Sequence, residues 1–314
     1  MMELDYRECI VGKDGIQKPS DLYEWEFRIK KSDEHVPGAN EPRHDRHRKT
    51  RFDEIETFLS SDNPRPFCIF HAASLPHSPE LNEIPNGLKG YNANNWYMDY
   101  EFGRYMELLK KYDLEKNTIV IYVNDNEAQQ PRTKNLLYDT SLNVPMIVRW
   151  PGHTKPGTTS HAMVGFIDVL PSLLDVAGGN QPDELDGKSM VNVWEGDTDH
   201  HHGEIYASYT GVIVGSKRQE TPFPVRAVRT DRYKYIRYIN HQMAHPKLKG
   251  KEFPAEELFD LNNDSGEQKN LAADPKFQKV VNELSEKVDV WMEQVGDKGI
   301  ESELATLKKY PPKK

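Results

Sequence analysis

The chain has 314 residues, enough for one large or two ordinary domains, and at 36% hydrophobic and 29% charged it is polar but globular. Its 41 basic and 50 acidic residues leave a net charge of −9, which argues against nonspecific nucleic-acid binding. Two cysteines, Cys9 and Cys68, make no disulfide framework, and no apolar run is long enough to span a membrane.

The opening, "MMELDYRECIVGKDG", is charged, carries no secretion leader and reads as the middle of a domain. Tyr6 to Gly12 reads as a strand with no earlier partner, so the expectation is a fragment of a longer protein. Residues 28–50, rich in charge, Pro and His, read as a solvated loop. "RFDEIETFLSS" predicts a short helix with Phe52, Ile55, Phe58 and Leu59 on one face. Phe67 to Ala72 is a strand, with Cys68 as a small core residue. After a loop to Asn94, "NNWYMDYEFGRYMELLKKY" predicts a helix whose Met98, Phe102, Tyr105, Leu109 and Tyr112 face the core. Two apolar runs, 118–123 and 144–149, read as buried strands, and "FIDVLPSLLDVAGG" as a helix closed by Gly178.

Strands thus alternate with helices from 52 to 178, the signature of an α/β fold: a mixed, mainly parallel sheet flanked by helices, with 67–72, 118–123 and 144–149 in one sheet. In such sheets ligands sit beyond the carboxyl ends of the strands, which places His77, Asp125 and Asn126 on the rim. After Gly196 short strands follow one another ("EIYASY", "VRAVRT", "YKYIRYI", "EELFDL"), a pattern for an antiparallel sheet. The helix "DPKFQKVVNELSEKVDVWMEQV" comes next, capped by Asp274, opened by Pro275, with a stripe of Phe277, Val281, Leu284, Val288, Trp291 and Val295. The expected division is 1–196 as the α/β core and 197–314 as a smaller α+β subdomain.

Asp125 and Asn126 close a buried strand with a carboxylate and a neutral oxygen, donors that suit a hard cation such as calcium, although Asx residues also simply end strands. Lys134 reads either as an anion-binding charge or as a solvated loop lysine. His77, in the proline-stiffened "SLPHSP", is a rim imidazole or a solvated one. The "DHHHG" cluster, Asp199 to Gly203, has metal-ligand residues but reads first as a surface turn. The residues alone reach as far as an anion pocket: cation, lysine and imidazole on one rim.

The chain resembles the sulfatases of the alkaline-phosphatase superfamily over about residues 52–275. "RPFCIFHAASLPHSP" resembles the strand and loop that carry a sulfate-binding histidine, and "LEKNTIVIYVNDN" the strand ending in Ser-Asp-Asn-Gly. "KNLLYDTSLNVPMIVRWPG" resembles the family's Lys-Gly-x-x-Tyr-Glu-x-Gly-x-Arg-Val-Pro segment; "HAMVGFIDVLPSLLDVAG", "DGKSM", "VRAVRTDRYKYIRY" and "ELFDLNNDSGEQKNLA" follow in family order. Pro-Arg-x-Lys before "LLYD", and "CIVGKDGIQKP", are most similar to the N-sulfoglucosamine sulfohydrolase branch.

The resemblance implies that Asp125 and Asn126 ligate calcium, that Lys134 and His77 hold a sulfate oxygen, and that His77 helps protonate the leaving group. Lys13 would hold the nucleophile's hydroxyl. It implies a sulfated sugar as substrate and a periplasmic, secreted or lysosomal setting. Residues 1–314 contain no Cys/Ser-x-Pro-Ser-Arg, whose first residue becomes the formylglycine nucleophile, and no Asp-Asp pair to complete the calcium site. Gly15 replaces a histidine, Glu127 a glycine, Asn143 an arginine and Ser74 a histidine of the family pattern. The expectation is therefore a hydrolase of sulfate esters or sulfamates without its nucleophile segment and inactive as it stands. Two other readings are a noncatalytic relative that binds an anion or a partner, and a phosphatase or phosphodiesterase, which would need more metal ligands than can be placed.

Overall fold

The computed structural model describes residues 4–12, 25–39, 47–77, 79–126, 132–133, 136–210, 213–214, 217–218, 223–239 and 254–309. They gather into two compact units: Met1–Val120 with Arg149–Thr154 and Leu173–Asp183, and Ile121–Val148 with Lys155–Ser172 and Glu184–Lys314.

In the first unit, β1 (Arg7–Gly12) lies between β2 (Phe27–Ile29) and β3 (Phe67–Ala72), all parallel, with Cys9 opposite both Phe27 and Ile69. Helix α1 (Phe52–Ser60) turns Ile55, Phe58 and Leu59 onto this sheet, where they meet Cys9, Val11, Ile29 and Leu108. Spacing of three and four residues puts those side chains on one helical face, as the sequence predicts, and each buried one stabilises the unit by about 1.5–3 kcal/mol. The Arg7 guanidinium covers the Phe58 ring at 4.6 Å and donates to the Phe58 carbonyl at 3.0 Å. Gly12 ends β1 at φ 100°, and a Cβ there would sit 2.3 Å from the Ala72 carbonyl oxygen, so only glycine lets β1 and β3 run this close.

Helix α2 (Tyr91–Lys111) forms where expected and turns Tyr105, Leu109 and Tyr112 at its C-terminal end to the core, but its face is displaced nearer its start. Its buried residues are Ala93, Asn94, Tyr97, Glu101, Leu108 and Leu109, while Phe102 of the predicted stripe is 37% exposed. Two polar residues turn the helix. Glu101 accepts the Thr50 hydroxyl at 2.6 Å, and Asn94 is consumed by loop backbone. Residues 28–50, expected as a solvated loop, bury Ile29, Val36, His47 and Thr50 among the described positions.

In the second unit, β4 (Val120–Val123) pairs with β5 (Met146–Arg149), and α3 (Asp139–Leu142) lies between them in the chain. The sequence reading put β3, β4 and β5 in one sheet. The hydrogen-bonded ladders instead form a three-stranded sheet with β3 at its edge and a separate two-stranded one of β4 and β5. Nor are the two apolar runs buried throughout, since Val123 is 40% and Ile147 62% exposed. Among the described residues each pairs with the other, and both strands are half-buried rather than core.

Helices α4 (Val169–Val176) and α5 (Val191–Glu195) follow, the first closed by Gly178 at φ 70°. A four-stranded antiparallel sheet then forms in the order β11-β10-β9-β6, from β6 (Glu204–Tyr209), β9 (Val225–Thr230), β10 (Tyr233–Tyr238) and β11 (Glu256–Asp260); β7 (Ile213–Val214) and β8 (Lys217–Arg218) make a small hairpin of their own. Asp274 caps the next turn by accepting the Lys276 amide at 3.0 Å, Pro275 opens it, and α6 (Gln278–Gln294) buries Val281, Leu284 and Val288 against Val228, Tyr235 and Leu258. Trp291 stacks on Tyr206 at 5.2 Å, whereas Val295, past the helix end, points to solvent. Helix α7 (Ile300–Lys309) is held by Glu303, whose carboxylate lies 3.0 Å from the buried Arg226 guanidinium. No helix among the described residues is long and apolar enough to cross a membrane.

Candidate functional site

Strand β4 delivers Asn124, Asp125 and Asn126 to its carboxyl end. Asn124 accepts the Tyr122 hydroxyl at 2.8 Å; Asp125 is exposed and Asn126 half-buried. Lys134 and Glu127, in the loop beyond, and Lys13 and Gly15, after β1, lie outside the described residues.

The return limb of that loop is held by the antiparallel sheet. Leu136, Leu137 and Tyr138 are buried in one cluster with Phe223, Val225, Ala227, Ile236, Tyr238 and Phe259. The Tyr138 and Tyr238 hydroxyls donate to one Glu257 oxygen at 2.8 and 2.7 Å, and burial, reinforced by that carboxylate, raises both phenols well above their ordinary range. The Arg132 guanidinium lies 4.0 Å over the Tyr138 ring, and the Arg132 carbonyl accepts the Thr140 hydroxyl at 2.8 Å. Beneath this limb Lys234, wholly buried, pairs with Asp139 and with Glu267 at 2.9 Å, and Glu267 also accepts the Asp139 amide at 2.7 Å. Burial raises the Glu267 carboxyl, and Lys234 only partly offsets the rise. The residues on either side of Lys134 are thus tied to the sheet by packing and by charge.

His77, in the first unit, is positioned by Asn94 of α2. The buried Asn94 amide donates to the carbonyls of Pro76 at 3.1 Å, His77 at 3.4 Å and Pro79 at 3.4 Å, and accepts the Leu81 amide at 2.8 Å. The loop also closes on itself through the His77 amide and the Ser74 carbonyl at 3.2 Å. One side chain therefore fixes the loop from 76 to 81. His71, on β3, was not singled out by sequence reasoning. Its Nε2 is buried with no hydrogen-bond partner among the described residues, its ring lies 5.3 Å from Tyr105, and burial pushes its pKa down to about 4, aided by the charge of Lys31.

The "DHHHG" cluster is only in part the surface turn expected of it, with Asp199, His200 and Gly203 exposed. His201 and His202 turn inward onto Asp168, a buried acid 34 residues upstream of His202, while Asp199 faces the other way and accepts the Ser160 hydroxyl and the His161 amide. Asp168 closes the short 3-10 turn before α4. Its Oδ2 accepts the Gly165 amide at 2.8 Å, its Oδ1 the Lys188 amide at 3.1 Å, and its carbonyl the Ser172 hydroxyl at 2.6 Å. Gly187 makes the Lys188 bond possible, because a Cβ on it would fall 2.0 Å from the Ile167 carbonyl oxygen. His202 Nε2 lies 3.0 Å from both carboxylate oxygens, and His201 Nε2 lies 3.5 Å from Oδ2 without forming a hydrogen bond. Burial alone would raise the Asp168 carboxyl, but the Gly165, Lys188 and His202 bonds outweigh it and hold the pKa below the ordinary carboxylate value. Burial lowers the His201 imidazole more than Asp168 raises it. Among the described residues these three form a group able to hold a metal ion, their donor atoms all within 4.8 Å of one another.

The Sulfatase family model matches residues 9–179, more than half of the 314. The chain belongs to the sulfatase family. A second model, N-sulphoglucosamine sulphohydrolase, C-terminal, matches residues 132–294, in agreement with the branch resemblance of the Pro-Arg-x-Lys segment. An ulvan-active sulfatase of Formosa agariphila is 31% identical over 95% of this chain and 64% of its own length. An endo-4-O-sulfatase of Bacteroides thetaiotaomicron is 26% identical over 75% of this chain and 53% of its own length. The chain thus spans less than two thirds of the length of these curated relatives. Among solved structures, a protein in complex with its substrate D-glucosamine-2-N,6-O-disulfate superimposes with a TM-score of 0.69 at 17% identity, covering 95% of this chain and 82% of that one, which establishes the α/β sulfatase fold. The expected family and fold class are therefore those observed.

Proposed function

We propose that this sulfatase-family chain serves the hydrolysis of sulfate esters or sulfamates on sulfated glycan fragments. The observation that carries the reading is the acid–amide pair Asp125–Asn126 at the carboxyl end of β4, inside the matched region. It is supported by relatives named as an ulvan-active sulfatase and an endo-4-O-sulfatase, and by the structural neighbour in complex with D-glucosamine-2-N,6-O-disulfate. One exposed carboxylate beside one neutral amide oxygen is a hard-oxygen donor set that suits calcium; residues 1–314 contain no Asp-Asp pair, so these two make half of a site. A bound calcium would neutralise charge developing on the sulfate oxygens in the transition state. Lys134 would bind a sulfate oxygen as a point charge, and the role the family resemblance gives to His77, whose loop Asn94 holds, is proton donor to the leaving group. Lys13 would hold the hydroxyl of a nucleophile, which residues 1–314 do not include in the family's form.

On this reading residues 1–314 bind a sulfated ligand without turning it over. Titration calorimetry should give sulfate binding on the order of millimolar, about 4 kcal/mol, weakened at least fivefold by Lys134→Ala, with no release of sulfate from aryl or sugar sulfates above background. Binding unchanged by Lys134→Ala, or turnover lost in that variant, would refute it. Glu127 and Asn143, where the family has glycine and arginine, favour a second reading, a noncatalytic binder of an anionic ligand or partner; sulfate release by a longer form of the protein would decide against that.

A further inference from the structure

We propose that Asp168, His201 and His202 form a metal site of their own, distinct from the Asp125–Asn126 pair, that takes a zinc-class divalent ion. Two imidazole nitrogens and one carboxylate oxygen are too rich in nitrogen for calcium or magnesium and match the donors of zinc and its first-row neighbours. The spacing fits. Donors at about 2.1 Å from one ion stand roughly 3.0 Å apart at a right angle and about 3.4 Å apart at a tetrahedral angle. The separations to Asp168 are 3.0 Å from His202 Nε2 and 3.5 Å from His201 Nε2.

A purely structural account covers only part of this cluster. Asp168 as a backbone cap explains the Gly165 and Lys188 amides, and a histidine–carboxylate hydrogen bond explains His202. Neither explains His201. Its side chain is 6% exposed, yet its Nε2 only approaches the carboxylate, at 3.5 Å, and meets no closer hydrogen-bond partner among the described residues. A buried ring nitrogen left unmatched costs about 1–3 kcal/mol, and a cation between it and Asp168 removes that cost. The backbone holds both histidines in place without the ion: the His202 amide donates to the Met163 carbonyl at 3.2 Å, and the His201 carbonyl accepts the Lys188 ammonium at 2.7 Å. That ammonium is a competing charge nearby, so the expected affinity is micromolar rather than nanomolar. To ligate through Nε2, neutral His202 carries its one ring proton on Nδ1, since a nitrogen ligand must be unprotonated. With three protein ligands, the fourth position belongs to water on the half-exposed His202 side.

The test uses the 314-residue chain freed of metal with a chelator. Calorimetry with zinc should give one site per chain with a micromolar Kd. Cobalt should give the visible absorption of a low-coordinate nitrogen–oxygen site, and calcium should not compete. His201→Ala, which removes a 3.5 Å approach to Asp168 and an edge-on ring contact with His202, should keep the fold by circular dichroism and weaken zinc binding at least twentyfold. His202→Ala should weaken it similarly, and His200→Ala should leave it unchanged. Absence of zinc binding, or binding with the same Kd in His201→Ala, would overturn the assignment, the latter pointing to adventitious histidines elsewhere.

Discussion

Replacing Lys234 with methionine should cost about 3 kcal/mol of stability and loosen the limb that follows Lys134 in the chain. The ammonium is wholly buried and faces two carboxylates, Asp139 and, at 2.9 Å, Glu267. Attraction across that distance at an effective dielectric of about 20 is roughly 6 kcal/mol per carboxylate, offset by several kcal/mol for stripping water from the ammonium. Removing one partner of a buried pair typically costs about 3–5 kcal/mol because the stranded charge remains. The Asp139 amide still donates to Glu267 in the variant, which argues for the lower end. At about 2–4 °C per kcal/mol for a unit of this size, Tm should fall by about 6–12 °C. Urea unfolding at pH 7 and pH 5 adds a sign check. Burial already raises the Glu267 carboxyl, and without Lys234 it rises further, so the variant's deficit shrinks as falling pH protonates that group. Adding Glu267→Gln should restore part of the loss at pH 7. A deficit below about 1 kcal/mol, or one equal at both pH values, would show that the ion pairs are not what hold the limb.

Asn94→Ala should cost about 2–3 kcal/mol, because it removes the acceptor of the Leu81 N–H and a donor to the Pro76 carbonyl, and amide exchange at Leu81 should speed at least tenfold; unchanged exchange there would argue against Asn94 as the fastener. For His71, burial sets the folded pKa at about 4, below the unfolded value of about 6.5, so the neutral ring is the form the fold accepts. Its stabilising contribution is full above pH 6.5 and is lost as pH falls toward 4, a difference of about 3 kcal/mol; urea midpoints of the wild type and His71→Leu across that range should diverge, and parallel curves would contradict this.

Elements bounded by local physics were legible in the sequence. The 3.6-residue spacing of Ile55, Phe58 and Leu59, or of Val281, Leu284 and Val288, fixes a helical face before any partner is known. Asp274 and Pro275 announce a helix start through groups two residues away. What escaped depends on distant partners. Phe102 faces solvent because Thr50 draws Glu101 inward, and no periodicity carries that information. The histidines after Asp199 were legible as possible ligands, but the acid they meet is Asp168 rather than their sequence neighbour, and only the fold brings it there. Asp125 and Asn126 could be placed at a strand end because strand ends are local; the resemblance, not the pattern, supplied the roles proposed for Lys13, Lys134 and His77.

The limb next to Lys134 is secured by residues made much later in synthesis. Tyr138 reaches Tyr238, 100 positions on, and Glu257, 119 positions on, while Arg132 reaches Glu267 across 135. Until the ribosome has released β9, β10 and β11, Leu136, Leu137 and Tyr138 have no core to enter. Contacts that close loops this long form slowly, and their apolar members stay exposed while they wait. During translation the limb therefore stays exposed apolar surface, open to wrong partners, until the sheet that receives it is complete. A chain halted before Glu257 would leave it open.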